Sequence, residues 1–187
     1  MTNRYNEHPW RSQPGVLELW ERIHDFPLDD PTAERTFSLR LRQENAWTEE
    51  FAARLLEEYK RFAFLCMVAD HACVPSAFVD LAWHMHILYL KAYLIDFCHG
   101  VLGRILWHRP SKGGRDQRDK HHDLYALTLD SYQRWFDQAP PPDIWGCCVA
   151  NVRHREGQTV GIGEPFAPGI SELISAGNGD LNSRTNT

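Results

Sequence analysis

The stretch from Val74 to Gly103, VPSAFVDLAWHMHILYLKAYLIDFCHGVLG, most constrains what this chain can fold into. Pro75 and Ser76 open it as a helix start, with Ser76 a good N-cap, and neither Pro nor Gly returns until Gly100. From Ala77 to His99 the pattern is apolar on nearly every side, which predicts one helix buried in the middle of a domain. Asp80, His84, His86, Lys91 and Asp96 interrupt the run and argue against a membrane span. At about 100° per residue, Asp80, His84 and Lys91 share one stripe, while His86, Tyr89, Tyr93 and Asp96 fall roughly opposite. Ionisable groups on two faces of a buried helix must be paired, hydrated or used.

The rest of the chain supplies helices to bury it. Val16, Leu19, Trp20 and Ile23 share one face of a helix from about Pro14 to Phe26, stopped by Pro27 and Pro31. A short helix is expected from about Ser38 to Asn45. Thr48 then caps a long one, with Glu49 and Glu50 favourably placed in its first turn. Its core series reads Phe51, Leu55, Glu58, Phe62, Leu65, Ala69, so a carboxylate stands where Leu is expected. Arg104 to Gly114 reads as a loop, and a last helix spans about Arg115 to Asp137 with a polar stripe of His121, Tyr125, Thr128 and Tyr132. The prolines 140–142 end it, and Trp145 is expected to tuck back onto the bundle. A short β-hairpin is expected around Val149 to Ile162, and disorder after about Ser171. The fold class is therefore all-α: a helical domain over 1–146, a bundle of four to six helices, with an irregular extension over 147–187.

Composition narrows the function classes. A chain 43% hydrophobic and 12% aromatic has the makings of a core, so it is a folding rather than a disordered sequence. A net charge of -5 gives no field favouring nucleic acid or an anionic membrane, and neither is expected as a partner. Residues 1–20 hold no apolar signal core, and a cytoplasmic protein is the expectation. The 5 Cys are odd in number and form no CxxC pair, which predicts buried thiols rather than a zinc knuckle. Oligomeric state stays open.

Four segments carry a family resemblance: FSLRLRQENAWT, RLLEEYKRFAFL, the span from VPSAFVDLAWHMH through SKGG, and PPPDIW. Over Phe37 to Trp145 the chain resembles the glycine-rich domain-containing proteins, plant proteins with bacterial relatives. The V-P-S-x-x-V-D-x-x-W-H-x-H core is the most specific part. The tail is only mildly Gly-rich, and Trp107 stands where bacterial relatives often carry His. The resemblance implies a helical domain and no particular reaction.

Asp80 and His84 at i, i+4 can share a ligand, whereas His84 and His86 at i, i+2 point about 160° apart and cannot. Glu58 from the facing helix would complete a carboxylate–imidazole set, as helical bundles build metal sites. Neither Glu-x-x-His copy of a di-iron bundle is present, so the candidate cofactor is one divalent ion (Zn, Fe, Mn or Cu) rather than two, the alternative being none. Glu58, Asp80, His84, His108 and His121 are the candidate metal ligands, and Glu58, His84, His86 and Tyr125 the candidate catalytic groups. The competing interpretation is a buried Asp80–His84 or Glu58–His84 pair that only holds helix register. Arg109, Lys112 and Arg115 around Gly113-Gly114, ahead of a helix N-terminus, form a candidate anion cradle, against a solvated basic loop. Two functions follow: a metal-dependent enzyme acting on a small anionic or peptide-borne substrate, or a non-catalytic binding or scaffolding module. Nucleophilic catalysis finds no G-x-S-x-G turn and no Cys–His signature.

Overall fold

A computed structural model describes residues 12–110, 115–146 and 158–165, the last segment and residues 109–110 and 115–118 as backbone alone. Seven helices and two strands occur among the described residues: α1 (Pro14–Asp25), α2 (Phe37–Asn45), α3 (Glu49–Val68), α4 (Ala77–Leu88), α5 (Ala92–Leu102), β1 (Arg104–Pro110), α6 (Arg115–Phe136), α7 (Pro142–Trp145) and β2 (Gln158–Pro165). The all-α expectation holds, and no helix among the described residues is long and apolar enough to cross a membrane.

Local chemistry starts the helices where expected. The hydroxyls of Thr36, Thr48 and Ser76 accept from the backbone N–H groups of Leu39, Phe51 and Val79 at 3.3, 3.2 and 3.2 Å. Each satisfies a donor that the first turn leaves orphaned. Pro14 occupies the first turn of α1, where its missing N–H costs nothing.

The hub of the packing is α3, not the stretch from Val74 to Gly103. It lies against α1, α2, α4 and α6, and the five consecutive residues Phe62 to Cys66 are at most 1% exposed. Only a helix covered on all sides buries a full turn of side chains. Its apolar periodicity looks like that of a half-exposed helix, because Lys60, Arg61 and the glutamates of its first half dilute the signal.

The expected single helix Ala77 to His99 is two helices. Tyr89 ends α4 with φ −86° and ψ 63°, and the chain re-enters helix at Ala92 in a wide, i→i+5 hydrogen-bonded form. Leu88 and Leu90 flank the break and are exposed. Neither Pro nor Gly marks it, so no local signal betrays it. Lys91 leaves the Asp80 stripe and pairs with Asp96 at 3.0 Å on the surface.

A second correction concerns the segment after α5. Gly103, with φ +71°, closes α5 in the left-handed region that favours glycine. Residues 104–110 then run as β1 rather than as a loop. They pair antiparallel with β2, Leu106 opposite Ile162 and His108 opposite Val160. This is a long-range ladder, and residues 149–157 of the hairpin expected within Val149 to Ile162 lie outside the described ones. Strand β1 alternates as a strand should, Leu106 buried and Trp107 exposed, but seven residues are too few to reveal the period in sequence.

Candidate metal centre

The Asp80, His84 and His108 side chains converge. One nitrogen of each imidazole and one carboxylate oxygen lie within 4.8 Å of one another, the one such trio among the described residues. Asp80 sits in the first turn of α4, placed by the Ser76 cap. His84 stands one turn on, and His108 comes from β1.

Asp80 is 1% exposed. His108 Nε2 lies 2.8 Å from its Oδ1, and His84 Nδ1 lies 3.2 Å from its Oδ2. The same His84 Nδ1 is 2.8 Å from the Asp80 main-chain carbonyl. A carbonyl only accepts, so Nδ1 carries a proton, which leaves Nε2 as the nitrogen able to offer a lone pair to a metal. The two rings are 4.2 Å apart between centroids. Burial pushes the Asp80 carboxyl up, but the His108 hydrogen bond and the nearby His84 imidazole, with their charges, outweigh it and hold it below the usual carboxylate range. Oδ2 nevertheless has no hydrogen-bond partner, the 3.2 Å approach of His84 being poorly directed. An anionic oxygen, dry and incompletely satisfied, faces two imidazoles. That is a set of donors to a cation.

The remaining expected site residues lie elsewhere. Glu58 does not join Asp80. Its Oε2 accepts from Trp145 Nε1 at 2.8 Å, its Oε1 from the Tyr132 hydroxyl at 3.1 Å, and Arg61 stands 3.3 Å away. Burial pushes this carboxyl above its ordinary range although Arg61, Trp145 and Tyr132 all pull it down. The interruption of the α3 core series by Glu58 therefore answers Trp145 and Tyr132, which arrive from residues far along the chain. Tyr125, expected to orient substrate, donates its hydroxyl to the Trp145 carbonyl in the same region. His121 is buried as expected but stands outside the trio.

His86, two residues from His84, is sealed in the core at 2% exposure. Its Nδ1 meets the Tyr59 hydroxyl at 2.9 Å, and Phe26, Phe37, Tyr59, Tyr93 and Phe97 surround the ring at 5.2–5.9 Å between centroids. Burial pushes the imidazole down to about 4, so it is neutral. It lies inside the core network expected for that face, with no place for a substrate. The Arg109, Lys112 and Arg115 side chains, the expected anion cradle, lie outside the described ones.

One pairing was invisible in the sequence. His71 Nδ1 donates to the Ala72 carbonyl at 3.0 Å, so its Nε2 accepts from the Ser131 hydroxyl at 2.7 Å, and Ser131 Oγ in turn accepts from Arg134 at 3.1 Å. Ser131 is fully buried, so the contact clamps the loop before α4 to α6 rather than exposing a nucleophile.

An α-helical domain with a buried carboxylate facing two imidazoles is the class that fold and site define. Residues 23–127 match the family model described as UCP032817-like, and the chain belongs to that family. The matched span is more than half of the 187 residues and holds all of Asp80, His84 and His108. The assignment corrects the resemblance to glycine-rich domain-containing proteins. The motif that carried that resemblance consists largely of capping and core positions (Ser76, Val79, Trp83), which serve any helix packed this way. No curated protein and no solved structure matches the chain.

Proposed function

We propose that Asp80, His84 and His108 bind one divalent transition metal and that the chain is a metal-dependent enzyme. The observation that carries this reading is the Asp80 carboxylate, 1% exposed, with Oδ2 lacking a hydrogen bond and two imidazoles within reach. One carboxylate and two imidazoles suit Zn, Fe, Mn or Cu rather than Mg or Ca. Three protein ligands leave at least one position for water or substrate, the arrangement of catalytic rather than structural sites. Such an ion would activate water or polarise a carbonyl of a small anionic or peptide-borne substrate. The proton that now joins His108 Nε2 to Asp80 Oδ1 is one a metal would displace, so binding should release a proton.

A second reading has its own support: the 2.8 Å Asp80–His108 contact is a complete hydrogen bond without an ion. In that case the cluster ties β1 to α4 in a binding or scaffolding module. Elemental analysis of untagged protein, followed by zinc titration of chelator-treated material, separates the two. One equivalent bound, and lost in Asp80→Asn, supports the metal centre. No binding, with thermal stability indifferent to chelator, refutes it.

A further inference from the structure

The chain carries a second set of residues, behind His108, whose arrangement bears on the same centre. Trp83 is fully buried and lies 4.3 Å from His108 between ring centroids, forming one wall of that imidazole. Its Nε1 donates to the Tyr93 hydroxyl at 2.9 Å. That hydroxyl in turn donates to the main-chain carbonyl of Leu106. Leu106 precedes His108 by two residues, on the same face of β1. The route from α4 to the strand is therefore continuous: Trp83 fixes the ring, and Tyr93 fixes the backbone that bears it.

This contact exists only because the helix breaks. In an unbroken helix Trp83 and Tyr93 would stand about 15 Å apart along the axis, at 1.5 Å per residue. The departure at Tyr89 and the re-entry at Ala92 fold α5 back, so that a residue ten positions on reaches hydrogen-bond distance. The Tyr93 hydroxyl, 3% exposed as a residue, is used as both acceptor and donor. Removing it strands the Trp83 N–H and the Leu106 carbonyl in a dry interior. The Asp80–His108 hydrogen bond would then hold β1 to α4 without the support of that polar link behind the ring.

We infer that Trp83 and Tyr93 are positioning residues for His108, a strut that sets the affinity and ligand field of the metal centre. The inference rests on the metal reading above. Outer-shell groups that orient an imidazole are worth about 10–100-fold in metal affinity. They act by holding the ligand in its bound geometry before the ion arrives.

Cobalt(II) is the probe, titrated into the full-length wild type and the Tyr93→Phe variant, with the visible d–d spectrum and a competing chelator as readouts. The wild type should bind one equivalent. Tyr93→Phe, with its helical circular dichroism retained, should bind about 10–100-fold more weakly and show shifted bands. Trp83→Phe, which keeps an aromatic wall but loses the N–H, should move both readouts the same way. Phe97→Leu, an equally buried change outside the strut, should lower stability and leave the cobalt spectrum unchanged. Unaltered affinity and spectrum in Tyr93→Phe overturn the inference while the metal centre stands. Loss of fold in both strut variants overturns it too, marking the pair as core packing. A wild type that binds no cobalt refutes the metal reading itself, and the strut with it.

Discussion

Asp80 and Glu58 are both buried carboxylates on neighbouring helices, and they meet opposite fates. Glu58 accepts from Trp145 and Tyr132, pairs with Arg61, and closes a network between α3, α6 and α7. Asp80 faces two imidazoles and keeps an oxygen without a hydrogen bond. Their protonation tendencies diverge accordingly, Glu58 above its ordinary range and Asp80 below it. Burial acts on both, so burial does not mark the functional carboxylate. What marks it is the chemistry of the partners: indole, phenolic and guanidinium groups satisfy a carboxylate, while imidazoles can share it with a metal.

The largest effect should come from the satisfied carboxylate. Glu58→Ala strips an indole N–H and a phenol of their acceptor and the half-buried Arg61 of its counter-charge, and should cost roughly 3–5 kcal/mol in denaturant unfolding. Metal binding should survive in the folded fraction. Loss of binding there would mean that the two regions are one site. His108→Ala tests the other side. Metal affinity should fall by more than the ~10–100-fold typical of an outer-shell loss, with a smaller change in stability.

The junction that leads into the strand bearing His108 is tested by Gly103→Ala. Its φ of +71° strains any residue with a Cβ, by about 1–2 kcal/mol, and the strain falls where α5 hands over to β1. Thermal unfolding should show that cost, accompanied by weaker metal binding if β1 shifts. The smallest and most gradual effect concerns pH. A carboxyl whose folded pKa is raised contributes stability below its unfolded pKa, and loses it as pH rises through the folded value. The stability advantage of wild type over Glu58→Gln should therefore be greatest in acid and shrink towards neutrality. Unfolding at pH 4 and pH 7 measures it, and a gap that widens with pH would reverse the assignment.

Much of this was legible in the sequence because it is local. Ser76 and Thr48 cap within their own first turns, the i, i+4 spacing brings Asp80 and His84 together, and the period of α3 singles out Glu58 as anomalous. Local geometry follows from residues a turn apart, which one strip of sequence contains. His108 enters that reading only as one name among several candidates. The choice of Glu58 as a third ligand failed for the same reason: nothing near Glu58 tells that Trp145, eighty-seven residues on, will hold it.

Tertiary structure made the remaining decisions. The break at Tyr89 carries no Pro or Gly, so it comes from packing rather than from backbone preference. That break brings Tyr93 to Trp83, and Tyr93 holds the strand that carries His108. The sequence alone determined an all-α chain with ionisable groups it could not leave unpaired in a core. Which groups pair was settled by contacts between segments distant in the chain, since burial leaves no water to serve as partner, and only the folded chain brings those partners within reach.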